Sequence, residues 1–151
     1  IQARTDMSLA ALFGGLALAN AKLGAVHGFA GPLGGMYPSA PHGVICGLLL
    51  PFVMAANVQA LKSREPQNPA LGRYDEVAQI LTGDSTASAS DGVSWVRELA
   101  ETLNVPALSN YGVKEVDFPT IIEKAQAASS MQGNPIKLTD EELLSILELV
   151  L

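Results

Sequence analysis

The sequence predicts an all-α fold, a bundle of about six or seven helices forming one domain over residues 1–151. Apolar residues recur at the spacing of one helical face in segment after segment. Start and stop signals punctuate those segments: prolines in first turns, a glycine after a last turn, and a Thr139/Glu142 capping box. No stretch alternates polar with apolar residues as a strand does, and there is no internal repeat or heptad seam.

Leu9, Leu12, Phe13 and Leu16 keep the i, i+3, i+4, i+7 spacing, so a helix is expected over about 6–22, capped by Thr5 or Asp6. Its second half is nearly all small or apolar, which places it deep in the bundle. A short helical segment carrying His27 then runs toward Gly31 and Pro32, followed by a loop over 34–40. Pro41 suits the first turn of a helix over about 41–61. Within it Pro51 lacks an N–H and should kink or break the helix.

Residues 63–68 form a polar linker, and Asn68 with Pro69 opens a helix whose stripe is Leu71, Tyr74, Ala78 and Leu81, ending at Gly83. A small-residue loop over 85–90 follows. Asp91 is expected to cap a helix with Val96, Leu99, Ala100 and Leu103 inward, closed by Pro106. Asp117 begins another, with Ile121, Ile122 and Ala125 inward. In the last helix Leu138 staples onto Leu143, and the buried face is Leu143, Ile146, Leu147 and Val150.

A chain of this length buries enough surface for a hydrophobic core without disulfides. Its single cysteine, Cys46, cannot form an internal bridge and sits in an apolar run, which fits a buried thiol in a reducing, cytoplasmic setting. Residues 1–62 carry Arg4, Lys22 and Lys62 against Asp6, whereas residues 63–151 carry six basic and fourteen acidic side chains. That acidic exterior, with no basic cluster and few aromatics, argues against nucleic-acid binding. Val44 to Leu61 is uncharged and nearly long enough to span a bilayer, but Pro51, Asn57 and Gln59 and the missing aromatic belt favour a core helix and no membrane partner.

Both histidines, His27 and His42, lie within residues 23–61, a segment without any Asp, Glu, Lys or Arg. Gly and Pro crowd the stretch between them, so the chain there can turn sharply. Their spacing is too long for i, i+4 pairing on one helix, so two elements must present the rings. Neutral imidazole is a good ligand for Zn²⁺ or Fe²⁺, yet a catalytic ion takes three or four protein ligands, and a packed core histidine beside a helix-terminal one is an alternative reading. No G-x-S-x-G elbow, phosphate-binding loop or C-x-x-C is present. Cys46 reads as packing, and Asp140, Glu141 and Glu142 as a favourable helix start.

Read as a string, GGLALANAKLGAVHGFAGPLGG followed by APHG and GLLLP resembles the C-terminal half of the iron-containing alcohol dehydrogenase family. The tail NPIKLTDEELLSILELVL resembles that family's closing Asn-Pro loop and final helix. The resemblance implies that His27 and His42 are two of four ligands to Fe²⁺, or to Zn²⁺ in relatives. It also implies that the other two, an Asp and a His, come from a helix N-terminal to this segment. By the same resemblance, an NAD or NADP site is expected mainly in a Gly-rich domain further upstream. The chain is therefore expected to be the last part of such an enzyme, acting on a small alcohol or aldehyde, with its own N-terminal NAD(P)-binding domain as partner and assembling as a homo-oligomer. Alone it should be inactive and bind metal weakly.

By the same resemblance Leu18 aligns with a position lining the substrate pocket, and Gly31 stands where many members carry a further histidine. A glycerol dehydrogenase or dehydroquinate synthase-like relative, or a non-catalytic helical interaction module, are the competing readings.

Overall fold

Helix α3 (His42–Arg64) is the hub around which the rest of the chain assembles. Its apolar run is long enough to show a side chain to every neighbour, and α2 (Ala25–Met36), α4 (Ala70–Thr82), α5 (Ala89–Thr102) and α7 (Asp140–Val150) all pack on it. The computed structural model describes all residues 1–151; α1 (Gln2–Asn20) and α6 (Phe118–Ala127) complete seven α-helices, joined by short 3₁₀ turns, with no strand. The predicted all-α bundle is the fold observed. By length and composition α3 could cross a bilayer, but half of its most apolar window is buried against the other helices.

Most of the buried apolar residues form one cluster. Phe29 and Leu33 of α2, Ile45, Leu49 and Leu61 of α3, Ile121 of α6, and Leu143, Ile146 and Leu147 of α7 are fully buried in it. The last helix forms as its sequence predicts: Glu142 N–H donates to Thr139 Oγ1 at 3.2 Å, and Thr139 N–H donates to the Glu142 carboxylate at 2.7 Å. Leu138 and Leu143 are both buried beside that cap. Nη2 of Arg64, at the end of α3, reaches the same carboxylate at 2.9 Å and ties the two helices together. Gly83 ends α4 in the left-handed region at φ 72°, as its position predicts.

Five expectations are corrected. Helix α1 starts earlier than expected, with Thr5 and Asp6 inside it and not capping it, and none of its residues is buried: Leu9, Leu12, Phe13 and Leu16 all face outward, Phe13 at 63% exposure. The Ala21–Gly24 turn bends the chain by 100° between α1 and α2, carrying α1 off the body, so nothing in this chain covers its apolar side. Helix α2 runs through Pro32 to Met36 instead of stopping, because only one backbone bond is lost at Pro32 and the Phe29 and Leu33 side chains are packed on both sides of it. Helix α3 likewise runs unbroken through Pro51, whose ring is itself buried.

The fourth correction concerns the start of α5. Asp91 sits in its first turn and accepts from Ser88 N–H at 2.8 Å and Ser88 Oγ–H at 2.7 Å, so Ser88 is the cap residue. The fifth concerns its face: Ala89, Gly92 and Val96 are buried, while Leu99 and Leu103 face solvent, Leu103 at 66% exposure. Small residues decide this, since Gly92 lets α5 press against Ala78 of α4 so closely that a Cβ there would stand 2.9 Å from the alanine methyl. Gly92→Ala is accordingly expected to cost about 1–2 kcal/mol, although alanine is intrinsically the better helix former by about 1 kcal/mol. Urea unfolding checks this, and a stabilised variant would show that the two helices separate freely.

Candidate metal centre

The site begins with the turn that launches α2. Gly24 precedes the helix, and the N–H of Ala25, left without an intrahelical partner, donates to Asn134 Oδ1 at 3.0 Å. Asn134 also donates to Asn57 Oδ1 at 2.6 Å and to the Ile136 carbonyl at 2.8 Å, and it accepts from Asn57 Nδ2 at 3.1 Å. Asn57 is the one buried polar side chain, 3% exposed, and its amide reaches Tyr74 Oη at 3.1 Å as well. Every hydrogen-bonding group of this pair is thus in use, as burial demands. Gly133, next to Asn134, lies so close to the Leu23 carbonyl that no Cβ fits between them. The first turn of α2, with His27, is held in place from the far end of the chain.

His42 opens α3 directly after Pro41, whose extended backbone at φ −64° and ψ 135° turns the chain into the helix. One turn later, at i+4, comes Cys46 on the same face. The imidazole rings of His27 and His42 lie with centroids 5.5 Å apart and planes tilted by 50°. Cys46 Sγ is 3.4 Å from Nε2 of His42 and 4.0 Å from Nε2 of His27. Ligand-capable atoms of the three residues all fall within 4.8 Å of one another. His27 and Cys46 also help line a cleft of about 430 Å³ walled by Val26, Leu50, Met54 and Tyr74.

Partial burial, and then the neighbouring His42, push the His27 pKa below its ordinary value. The ring is neutral at physiological pH, the form in which imidazole offers a lone pair. Burial raises the Cys46 thiol, so without an ion it stays protonated. His42 is exposed, leaving the cluster open on one side. Two imidazole nitrogens converging from different helices, with a sulfur beside them, are a donor set that suits a divalent ion.

Both histidines singled out by sequence therefore meet, as a two-element site requires. Cys46 belongs to the cluster although its apolar surroundings read as packing; the signal is its i+4 spacing from His42. The pairing of Asn57 with Asn134 carries no local signal, because the two lie 77 positions apart. Leu18 lies on α1 at 56% exposure and is not part of the cleft beside His27. Gly31, one turn after His27, is exposed, with no atom within 4 Å of where a Cβ would sit.

The model of the C-terminal part of the Fe-containing alcohol dehydrogenase family matches residues 1–151. The chain belongs to the iron-containing alcohol dehydrogenase family. Among curated relatives, alcohol dehydrogenase 4 of Saccharomyces cerevisiae is 36% identical over 148 residues, covering 97% of this chain and 36% of that protein. The 1,3-propanediol dehydrogenase of Klebsiella pneumoniae is 36% identical over 152 residues, covering 97% and 37%. Among solved structures, an alcohol dehydrogenase from Oenococcus oeni superposes with a TM-score of 0.81 at 35% identity, over 99% of this chain and 38% of that one. The chain spans just over a third of the length of these iron-containing dehydrogenase relatives.

Proposed function

We propose that this chain is the metal-ligand-bearing helical domain of an NAD(P)-linked, metal-dependent alcohol dehydrogenase, with His27 and His42 as two protein ligands to Fe²⁺ or Zn²⁺. The observation that carries the reading is the meeting of both imidazoles, from different helices, with ring centroids 5.5 Å apart. His27 and His42 would hold the ion, whose chemistry when bound would be Lewis acidity toward an alcohol or carbonyl oxygen in a nicotinamide-linked hydride transfer. The chain's own residues supply position. Asn134 holds the turn that orients His27, α3 fixes His42, and Val26, Leu50 and Met54 give the cleft beside the cluster an apolar wall.

The nicotinamide site and the remaining ligands belong, in this reading, to an N-terminal partner domain in the cytoplasm, and the substrate is a small alcohol or aldehyde. Leu18, exposed on α1, is free to meet such a partner or substrate. The chain alone is then inactive, and assembly of the whole protein into an oligomer would cover the exposed apolar surfaces of α1 and α5.

His27→Ala and His42→Ala are each expected to lower Zn²⁺ affinity at least tenfold in calorimetric titration, with little change in unfolding midpoint. Unchanged affinity with altered stability would instead favour a helical module in which the rings only pack. Turnover of alcohols with NAD(P) by this chain alone would refute the division of labour.

A further inference from the structure

The histidine reading leaves Cys46 unused, yet its sulfur is nearer to the His42 ring nitrogen than the two rings' centroids are to each other. We propose that Cys46 is a third metal ligand in this chain, so that His27, His42 and Cys46 form a two-imidazole, one-thiolate set that favours Zn²⁺ or another thiophilic divalent ion over Fe²⁺. The inference rests on the reading of His27 and His42 as ligands.

Geometry carries it. In a tetrahedral zinc site with Zn–N of about 2.0–2.1 Å and Zn–S of about 2.3 Å, bound nitrogen and sulfur stand about 3.5 Å apart. The His42–Cys46 separation is 3.4 Å, already at that spacing, and the His27–Cys46 separation is 4.0 Å, so closure asks only for a small side-chain rotation. His42 and Cys46 are one helical turn apart on one face, the spacing at which a rigid helix can chelate an ion with two side chains. His27 comes from a second, independently anchored helix. In this chain on its own, three donors from two fixed elements leave the exposed side of His42 for one water to complete a tetrahedral set, and ligands from a partner domain would raise the coordination to five.

The chemistry balances simply. As the ion binds, the Cys46 S–H bond gives its proton to solvent and the sulfur lone pair forms the bond to the metal, with no change in oxidation state and one proton released per ion. A soft thiolate beside imidazoles shifts preference from oxygen-loving or iron-selective sites toward zinc-like ions.

The test is titration of the chain with Co²⁺ alone, followed by absorption. The expected result is visible bands of a tetrahedral site together with a near-ultraviolet thiolate-to-cobalt charge-transfer band; C46S loses the latter and binds Co²⁺ and Zn²⁺ at least tenfold more weakly. Should C46S not fold, zinc-edge X-ray absorption on the unmodified chain reads the same point, with one sulfur expected at about 2.3 Å. Visible bands that depend on His27 and His42, with no charge-transfer band and no sulfur neighbour, would overturn the role of Cys46 and leave the histidine reading intact. Absence of any binding at millimolar Co²⁺ would overturn both.

Discussion

Asn134→Ala should destabilise the chain by about 3 kcal/mol and loosen His27 at the same time. The substitution strands two groups that water cannot easily reach: the N–H of Ala25, a residue with no exposed surface, and Oδ1 of the buried Asn57. Each orphaned buried polar group costs about 1–3 kcal/mol, and the bond to the Ile136 carbonyl is lost as well. For a chain of this size the melting temperature should fall by about 10 °C. Amide exchange at the start of α2 should quicken more than exchange in α7, because the cut is local to the turn below His27. A drop under about 1 kcal/mol, with α2 as protected as before, would show that water replaces the side chain without strain.

Gly133→Ala is expected to be of similar size, about 3 kcal/mol, for a steric reason. The new methyl would run into the Leu23 carbonyl, a backbone group that cannot swing away as a side-chain tip can. The backbone at Gly133 is not in the left-handed region, which among the glycines is populated by Gly83 and Gly112. Its need is therefore for closeness, unlike theirs for conformation. Gly35→Ala provides the contrast. That glycine lies in the last turn of α2, and a methyl added there would meet no atom within 4 Å, so alanine should be neutral or add up to about 1 kcal/mol. If both variants unfold at the same urea concentration, the close approach at Gly133 is not a constraint.

The parts of this fold that can be read from sequence are those whose causes are local. The capping box at Thr139, the Gly83 terminus and the faces of α4, α6 and α7 follow from residues within a turn or two of one another. The exposure of α1 and of Leu99 and Leu103 cannot be read that way, because an apolar stripe states that a helix has something to hide and not where its cover is. Cys46 escapes a sequence reading for a related reason. Periodicity places it in an apolar run, but only the tertiary approach of α2 to the N-terminal end of α3 puts His27 beside it. Asn57 reads in the sequence only as a polar residue in an apolar run, while its partner lies 77 positions away.

The Ala25–Asn134 bond joins residues 109 positions apart. A growing polypeptide leaves the ribosome at about 5–20 residues per second, so His27 and His42 are in the open for roughly 5–20 s before the residue that secures the first of them has been made. During that interval α2 and α3 can meet through Phe29, Ile45 and Leu49, but the histidine-bearing turn has no anchor. Under the proposed role of the two histidines, metal capture would then be a late event in the life of a new chain, since an ion arriving early would meet two unanchored imidazoles.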